Sequence, residues 1–253
     1  MAIGLLTANE LIATIRNSAM PTVLVEGPTD AYVYRAVEAE AKLSFGTLLP
    51  CGGRSTLLEI YRRRDELRDR RCAFLADRDM WIFSGIPSEY TDVIFTSGYS
   101  IENDLFSDGA VERLFDEIEQ RVFADLVAAV TRWFTFEAEE FLANREHRVG
   151  DHLDRLIKPG TVGLCPDWCR ARGFREPDTR FCSEVRSEFR MKLRGKHLAA
   201  IYHRILHAPQ RRSKYVPANL IELASKSPGN LALFALCDKV RAALAIPEGA
   251  PAG

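Results

Sequence analysis

The spacing of apolar residues changes character near residue 100. Before that point short apolar runs alternate with helical patterns; beyond it only the helical period persists. Val23-Leu24-Val25 lies in a run from Thr22 to Gly27, and similar runs span Leu43–Pro50, Arg71–Ala76 and Asp92–Thr96, each read as a buried strand. Between them the spacing predicts helices. Thr7–Asn17 opens with Thr7 and Glu10 at capping-box separation. Asp30–Lys42 carries Ala31, Val33, Tyr34 and Val37 on one side, and Ser55–Arg68 carries Leu57, Leu58, Ile60 and Tyr61. Strands alternating with helices of this length predict a parallel α/β sheet. From Ala110 to Phe136 the apolar positions trace a long amphipathic helix. Helical patterns recur at 138–144, 152–157, 184–194, 197–206, 217–225 and 230–245. The expected architecture is therefore an α/β domain over residues 1–108 and an all-helical domain over 109–253. The Pro/Gly-rich end from Pro247 is expected to fray.

Three of the apolar runs end in carboxylates. Glu26 and Asp30 follow the first, Asp77 and Asp79 follow Phe74-Leu75-Ala76, and Glu102 follows Tyr99-Ser100-Ile101. Ligands of an open parallel sheet bind beyond the carboxyl ends of its strands. Carboxylates gathered there repel one another unless a cation neutralises them. Continuing the strand's period of two would point Asp77 and Asp79 to the same side. The pattern predicts one or two Mg²⁺ or Mn²⁺ ions, hard cations that prefer oxygen. The competing roles are a helix cap for Asp30 and an ordinary turn for Asp77-Arg78-Asp79.

Overall charge adds little, since the 253-residue chain carries a formal −1. Its distribution matters more. Between Arg170 and Lys214 there are 13 Lys or Arg against 4 Asp or Glu. Arg190, Lys192, Arg194, Arg211 and Arg212 within it are candidates for nucleic-acid contact. No apolar run reaches membrane-spanning length, and the first residues lack a basic leader, so a cytoplasmic protein is expected. The six cysteines do not suggest a disulfide framework. Cys165, Cys169 and Cys182 lack the second pair of a usual structural zinc site. His203 and His207 lack the intervening glutamate of a zinc protease. Cys51-Gly52-Gly53-Arg54-Ser55-Thr56 opens a helix with a tight turn but lacks the P-loop spacing.

The strand-Glu26-Gly27 segment, followed some fifty residues later by strand-Asp77-x-Asp79, resembles the Toprim domain shared by topoisomerases, primases and OLD-type nucleases. The Glu26-Gly27-Pro28-Thr29-Asp30 form, the Ser100–Asn103 segment and the helical second half are most similar to one branch. Its members are the small nuclease subunits encoded beside ABC-type ATPases, as in the PARIS anti-phage system. The resemblance covers Thr22 to about Phe106, and more loosely Gly195-Lys196-His197. It implies a Toprim-like sheet flanked by helices, with Glu26, Asp30, Asp77, Asp79 and Glu102 as metal ligands. Glu26 and Lys196 would be catalytic, Lys196 touching the scissile phosphate. Asp104 departs from the family pattern and is left out of that set.

The function implied by the resemblance is hydrolysis of phosphodiester bonds in RNA, transfer RNA included, or in DNA, by the toxic effector of a defence system. An ABC-type ATPase would hold it silent, with a homodimer on release. The alternative expectation is a non-catalytic Toprim subunit that assembles with the ATPase and cuts nothing. A topoisomerase-like accessory role would need a nucleophilic tyrosine and a DNA-gate domain, for which 253 residues leave little room.

Overall fold

A computed structural model describes residues 6–41 and 46–244, with only the backbone at 29, 30, 32, 37, 40 and 41. In chain order the first half contains α1 (Ala8–Arg16), β1 (Thr22–Val25), α2 (Pro28–Ala41), β2 (Thr47–Pro50), α3 (Arg54–Arg62), β3 (Cys72–Ala76), α4 (Trp81–Ser84), β4 (Ile94–Phe95) and α5 (Ile101–Phe106). The second half contains α6 (Glu117–Leu142), α7 (Leu153–Leu156), α8 (Pro166–Arg172), α9 (Thr179–Ser187), α10 (Phe189–Lys192), α11 (Gly195–Leu206), α12 (Pro217–Ser225) and α13 (Leu231–Leu244). None of these helices is long and apolar enough to cross a membrane.

The chain divides into two units. The first runs to Asp77 and adds Pro87–Thr96 and the chain from Leu231 onward. Among its described residues the sheet has four strands, all parallel, in the order β2-β1-β3-β4. Val23, Leu24 and Val25 are fully buried, as expected of a central parallel strand covered on both faces. Burying each such side chain stabilises the fold by about 1.5–3 kcal/mol. From β1 the chain goes first to one neighbour, β2, and later to the other, β3. Their carboxyl ends are therefore the reversal point at which such sheets bind ligands. Thr7 caps α1 through a reciprocal bond pair with Glu10, as the spacing predicted.

The second unit comprises Arg78–Ile86 and Ser97–Asn230. Its longest helix, α6, is built around Trp133 and Phe134, both fully buried, and packs against α9 and α11. Glu137 on α6, also fully buried, receives two bonds from Arg172 at 2.9 Å and one from the Arg148 N–H at 2.7 Å. Glu140 receives two bonds from Arg145 and one from Arg175. These pairs fasten the irregular stretch between α6 and α9 to the long helix.

Several boundaries differ from expectation. The predicted Ala110–Phe136 and 138–144 helices form one helix that begins at Glu117, because Asp116 and Glu119 make a capping box there. The chain just before it, Val111–Leu114, is a 3₁₀ turn. Helix 55–68 stops at Arg62, and the fourth strand shrinks to Ile94–Phe95. Leu43–Phe45 lie outside the described residues, so the second strand is seen only from Thr47. The division at 108 is replaced by an interleaved one. Residues 97–108 group with the helices, whereas α13 packs on β3 and β4, burying Leu233, Leu236, Cys237 and Val240. An amphipathic pattern shows that a helix has a buried side without showing what covers it.

Candidate active site

In the sheet unit Glu26 directly follows β1 and Asp77 directly follows β3. Pairing of Val25 with Leu75 fixes the register that brings these ends together. The half-buried Glu26 accepts a hydrogen bond through Oε1 from the Asp77 backbone N–H at 2.9 Å. On the other side of β1, Cys51 follows β2 and its N–H bonds the Val25 carbonyl at 2.8 Å. Burial, and then the negative charge of Glu26, push the Cys51 thiol up to about 12. At neutral pH it is a buried thiol rather than a thiolate nucleophile. Its position beside the acid was not anticipated from the sequence, where it read only as part of a Gly-rich turn. Gly53, the N-cap of α3, has φ +141°, which explains a glycine at the turn that leaves this rim. Asp30 lies in the first turn of α2, and its side chain is outside the described residues.

The Asp77-Arg78-Asp79 segment is not a continuation of the strand. β3 ends at Ala76, and Asp79 has φ +48°, in the left-handed region. The period-of-two argument for the two aspartates therefore does not apply. Aspartate tolerates this conformation better than most residues. In the second unit the Asp79 N–H donates to the Tyr99 carbonyl at 2.7 Å, and the Tyr99 N–H donates to the Met191 carbonyl at 2.8 Å.

Glu102 sits in the first turn of α5, buried, and accepts from the Ser100 hydroxyl at 2.6 Å. Asn103 is fully buried: Oδ1 accepts from the Ser100 N–H at 2.9 Å, while Nδ2 donates to the carbonyls of Arg190 at 2.7 Å and Leu193 at 2.8 Å. Asp104, left out of the expected ligand set, is fully buried. Its two oxygens accept from the N–H groups of Ser97 and Gly98 at 2.8 and 2.7 Å, so it shapes the loop leading into α5. Gly195, the first residue of α11, lies against α5 so closely that a Cβ would stand 2.3 Å from Ser100 Oγ and 2.8 Å from Glu102 Cβ. Lys196 follows, exposed, with no hydrogen bond or ion pair among the described residues. A bare ammonium in the first turn of a helix is unfavourable unless an anion shares the site. The next residue, His197, is 2% exposed and packs on Trp133 with ring centroids 4.6 Å apart. Its Nε2 bonds the Asp151 carbonyl at 2.7 Å. Burial, and then the Arg194 charge, push its pKa down to about 4, so it is a neutral core histidine.

The five basic candidates separate into two kinds. Arg190 makes a double bond pair to Glu112, Lys192 pairs with Glu184 and Glu188, and Arg211 bonds the Leu114 carbonyl and pairs with Glu119 at 3.5 Å. These three are committed within the protein. The side chains of Arg194, the N-cap of α11, and of the exposed Arg212 have no hydrogen bond or ion pair among the described residues. All six cysteines are free, and among the described residues no group of three or more His, Cys, Asp or Glu is arranged to hold a metal ion. Clefts of about 370 and 550 Å³ in the helical unit are lined by residues such as Asp151, Arg155 and Trp168, or Ile118, Val122 and Pro159, and by none of the predicted acids.

The donor chemistry at the sheet rim fits a hard divalent cation. Glu26 and Asp77 offer only oxygens, the donors a hard divalent cation prefers, and Glu26 Oε1 is turned toward the Asp77 backbone N–H. No protein-family model matches this chain, and the search of curated proteins finds no match.

Proposed function

We propose that the chain is a Toprim-type, metal-dependent endonuclease that hydrolyses phosphodiester bonds in RNA, transfer RNA included, or in DNA. The observation that carries this reading is the meeting of Glu26 and Asp77 at the carboxyl ends of the two strands where the sheet order reverses. Glu26, Asp30 and Asp77, at the rim of the sheet unit, would hold one or two Mg²⁺ or Mn²⁺ ions; Asp79 and Glu102, which the resemblance adds, belong to the second unit. Bound at that rim, such ions would supply Lewis-acid polarisation of a phosphodiester and a more acidic water. The protein's own groups do the rest. Carboxylates fix the charge of the rim, and the Asp77 backbone N–H helps to orient Glu26. Lys196, exposed at the start of α11 in the second unit, carries the compact positive charge to which the resemblance assigns the phosphate contact. Arg194 and Arg212 are the basic residues best suited to contact the polyanion, since Arg190, Lys192 and Arg211 already serve carboxylates.

A nuclease of this kind would act as a toxic defence effector held silent by an ABC-type ATPase partner. A specific observation favours a second reading, a non-catalytic Toprim subunit of the same complex: one Glu26 oxygen is already engaged by the backbone. The experiment that separates them is cleavage of labelled RNA and DNA in Mg²⁺ by wild type, Glu26→Ala and Asp77→Ala, with and without an ABC-type ATPase from the same genome. The nuclease reading expects cutting by wild type alone, suppressed by the partner. Equal products from all three proteins would refute it.

A further inference from the structure

We propose that Asn103 is a positioning residue that holds Lys196 in register with Glu102, an inference that rests on the nuclease reading above. Glu102 precedes Asn103 on α5, and Lys196 lies three residues beyond Leu193, one of the carbonyls that Asn103 binds. The amide is used to capacity. Oδ1 takes the Ser100 N–H, and the two Nδ2 hydrogens go to carbonyls ninety or so residues away in sequence, Arg190 O and Leu193 O. The single Ser100 hydroxyl proton lies between Glu102 Oε2 at 2.6 Å and Asn103 Oδ1 at 2.9 Å, so the same cluster orients the Glu102 carboxylate.

The surroundings leave Asn103 no slack. A Cβ on Gly98 would stand 2.5 Å from Asn103 Cβ, and one on Gly195 would stand 2.8 Å from Asn103 Oδ1. Tyr99 N–H takes the intervening Met191 carbonyl at 2.8 Å. Glu112 holds the Arg190 guanidinium from the far side, bonded at 2.8 and 2.5 Å. The segment 190–193 is thus gripped by its carbonyls and by two side chains, Arg190 on Glu112 and Lys192 on Glu184 and Glu188, and the chain leaving it enters α11 with Lys196 exposed. Such a clamp is needed if the lysine is to meet a phosphate, because an ammonium on a four-carbon stem has little order of its own.

Asn103→Asp keeps the acceptor for Ser100 but turns a lone pair toward the Arg190 and Leu193 carbonyls. Gly195→Ala keeps the amide and drives a Cβ against Ser100 Oγ and Glu102 Cβ, pushing the same two segments apart; circular dichroism checks that each variant folds. Each is made in the full chain, alone and combined with Lys196→Met. Cleavage of a transfer-RNA transcript in Mg²⁺ and amide hydrogen exchange across 190–198 are then measured. Both single variants are expected to speed exchange of that stretch at least tenfold. Both should lower kcat about a hundredfold with KM nearly unchanged, yet add less than threefold to the loss already caused by Lys196→Met. A variant with a full additive loss in the Lys196→Met background, or with unchanged exchange, would overturn the positioning role. Should wild type cut nothing, the nuclease reading falls by itself, and exchange alone decides whether Asn103 clamps the segment.

Discussion

His197 offers a test in which the magnitude follows from the structure. The ring is 2% exposed against Trp133, with Nε2 on the Asp151 carbonyl. A carbonyl accepts, so Nε2 carries the proton and the tautomer is fixed; Nδ1 is buried and has no hydrogen-bond partner among the described residues. Protonation would place a charge at that buried nitrogen. With a folded pKa of about 4 against 6.5 in the unfolded chain, the unfolded state binds more protons throughout the interval between them. Stability from this group is therefore fully present above pH 6.5 and is lost as pH falls toward 4. Between pH 7 and pH 4.5 the loss amounts to about 2–3 kcal/mol. His197→Phe keeps an aromatic ring beside Trp133 and abolishes the titration, at a pH-independent cost of about 1 kcal/mol for the bond to Asp151. Urea unfolding followed by circular dichroism at both pH values gives the comparison, since carboxylates titrate alike in the two proteins. The wild type should lose about 2–3 kcal/mol more than the variant over that interval. Parallel pH profiles would refute the neutral, buried assignment.

Other consequences are as direct. Arg172→Leu strands the fully buried Glu137 carboxylate and should cost about 3–5 kcal/mol in chemical denaturation; a loss under 1 kcal/mol would show that the pair is dispensable. Glu140 is held down at about 2, first by its bond from Arg145 and then by the Arg145 and Arg175 charges. Its contribution is present above the usual carboxylate range and lost as pH falls toward 2, so Glu140→Gln should flatten the acid limb of the stability curve. With Cys51 raised to about 12 and Cys72 to about 11, both chiefly by burial, neither should be alkylated by iodoacetamide at pH 8 in the folded protein. Rapid native labelling of Cys51, seen by peptide mass spectrometry, would contradict its placement beside Glu26.

What the sequence revealed, and what it hid, follows from the range of each interaction. The buried Val23-Leu24-Val25 and Phe74-Leu75-Ala76 runs are legible because a strand covered on both faces must be apolar throughout. Their carboxylate endings then located Glu26 and Asp77 at one rim, given only that the sheet is parallel. The Asp79 geometry was not legible, because the strand stops at Ala76 and a left-handed residue leaves no periodic signal. Asp104 was passed over since its partners are two backbone N–H groups, which carry no side-chain signature. The commitment of Arg190, Lys192 and Arg211 to Glu112, Glu184, Glu188 and Glu119 was hidden for a related reason. A local excess of positive charge does not disclose which cations have partners elsewhere in the fold.

The claim on which the rest depends is that the Glu26–Asp77 rim binds a divalent cation. Calorimetric titration of Mn²⁺ into the full chain addresses it without knowledge of the substrate. The account predicts saturable binding by wild type that Glu26→Gln and Asp77→Asn each weaken at least tenfold, while Arg212→Ala leaves it unchanged. Absence of binding by wild type, or binding indifferent to both rim substitutions, would contradict it.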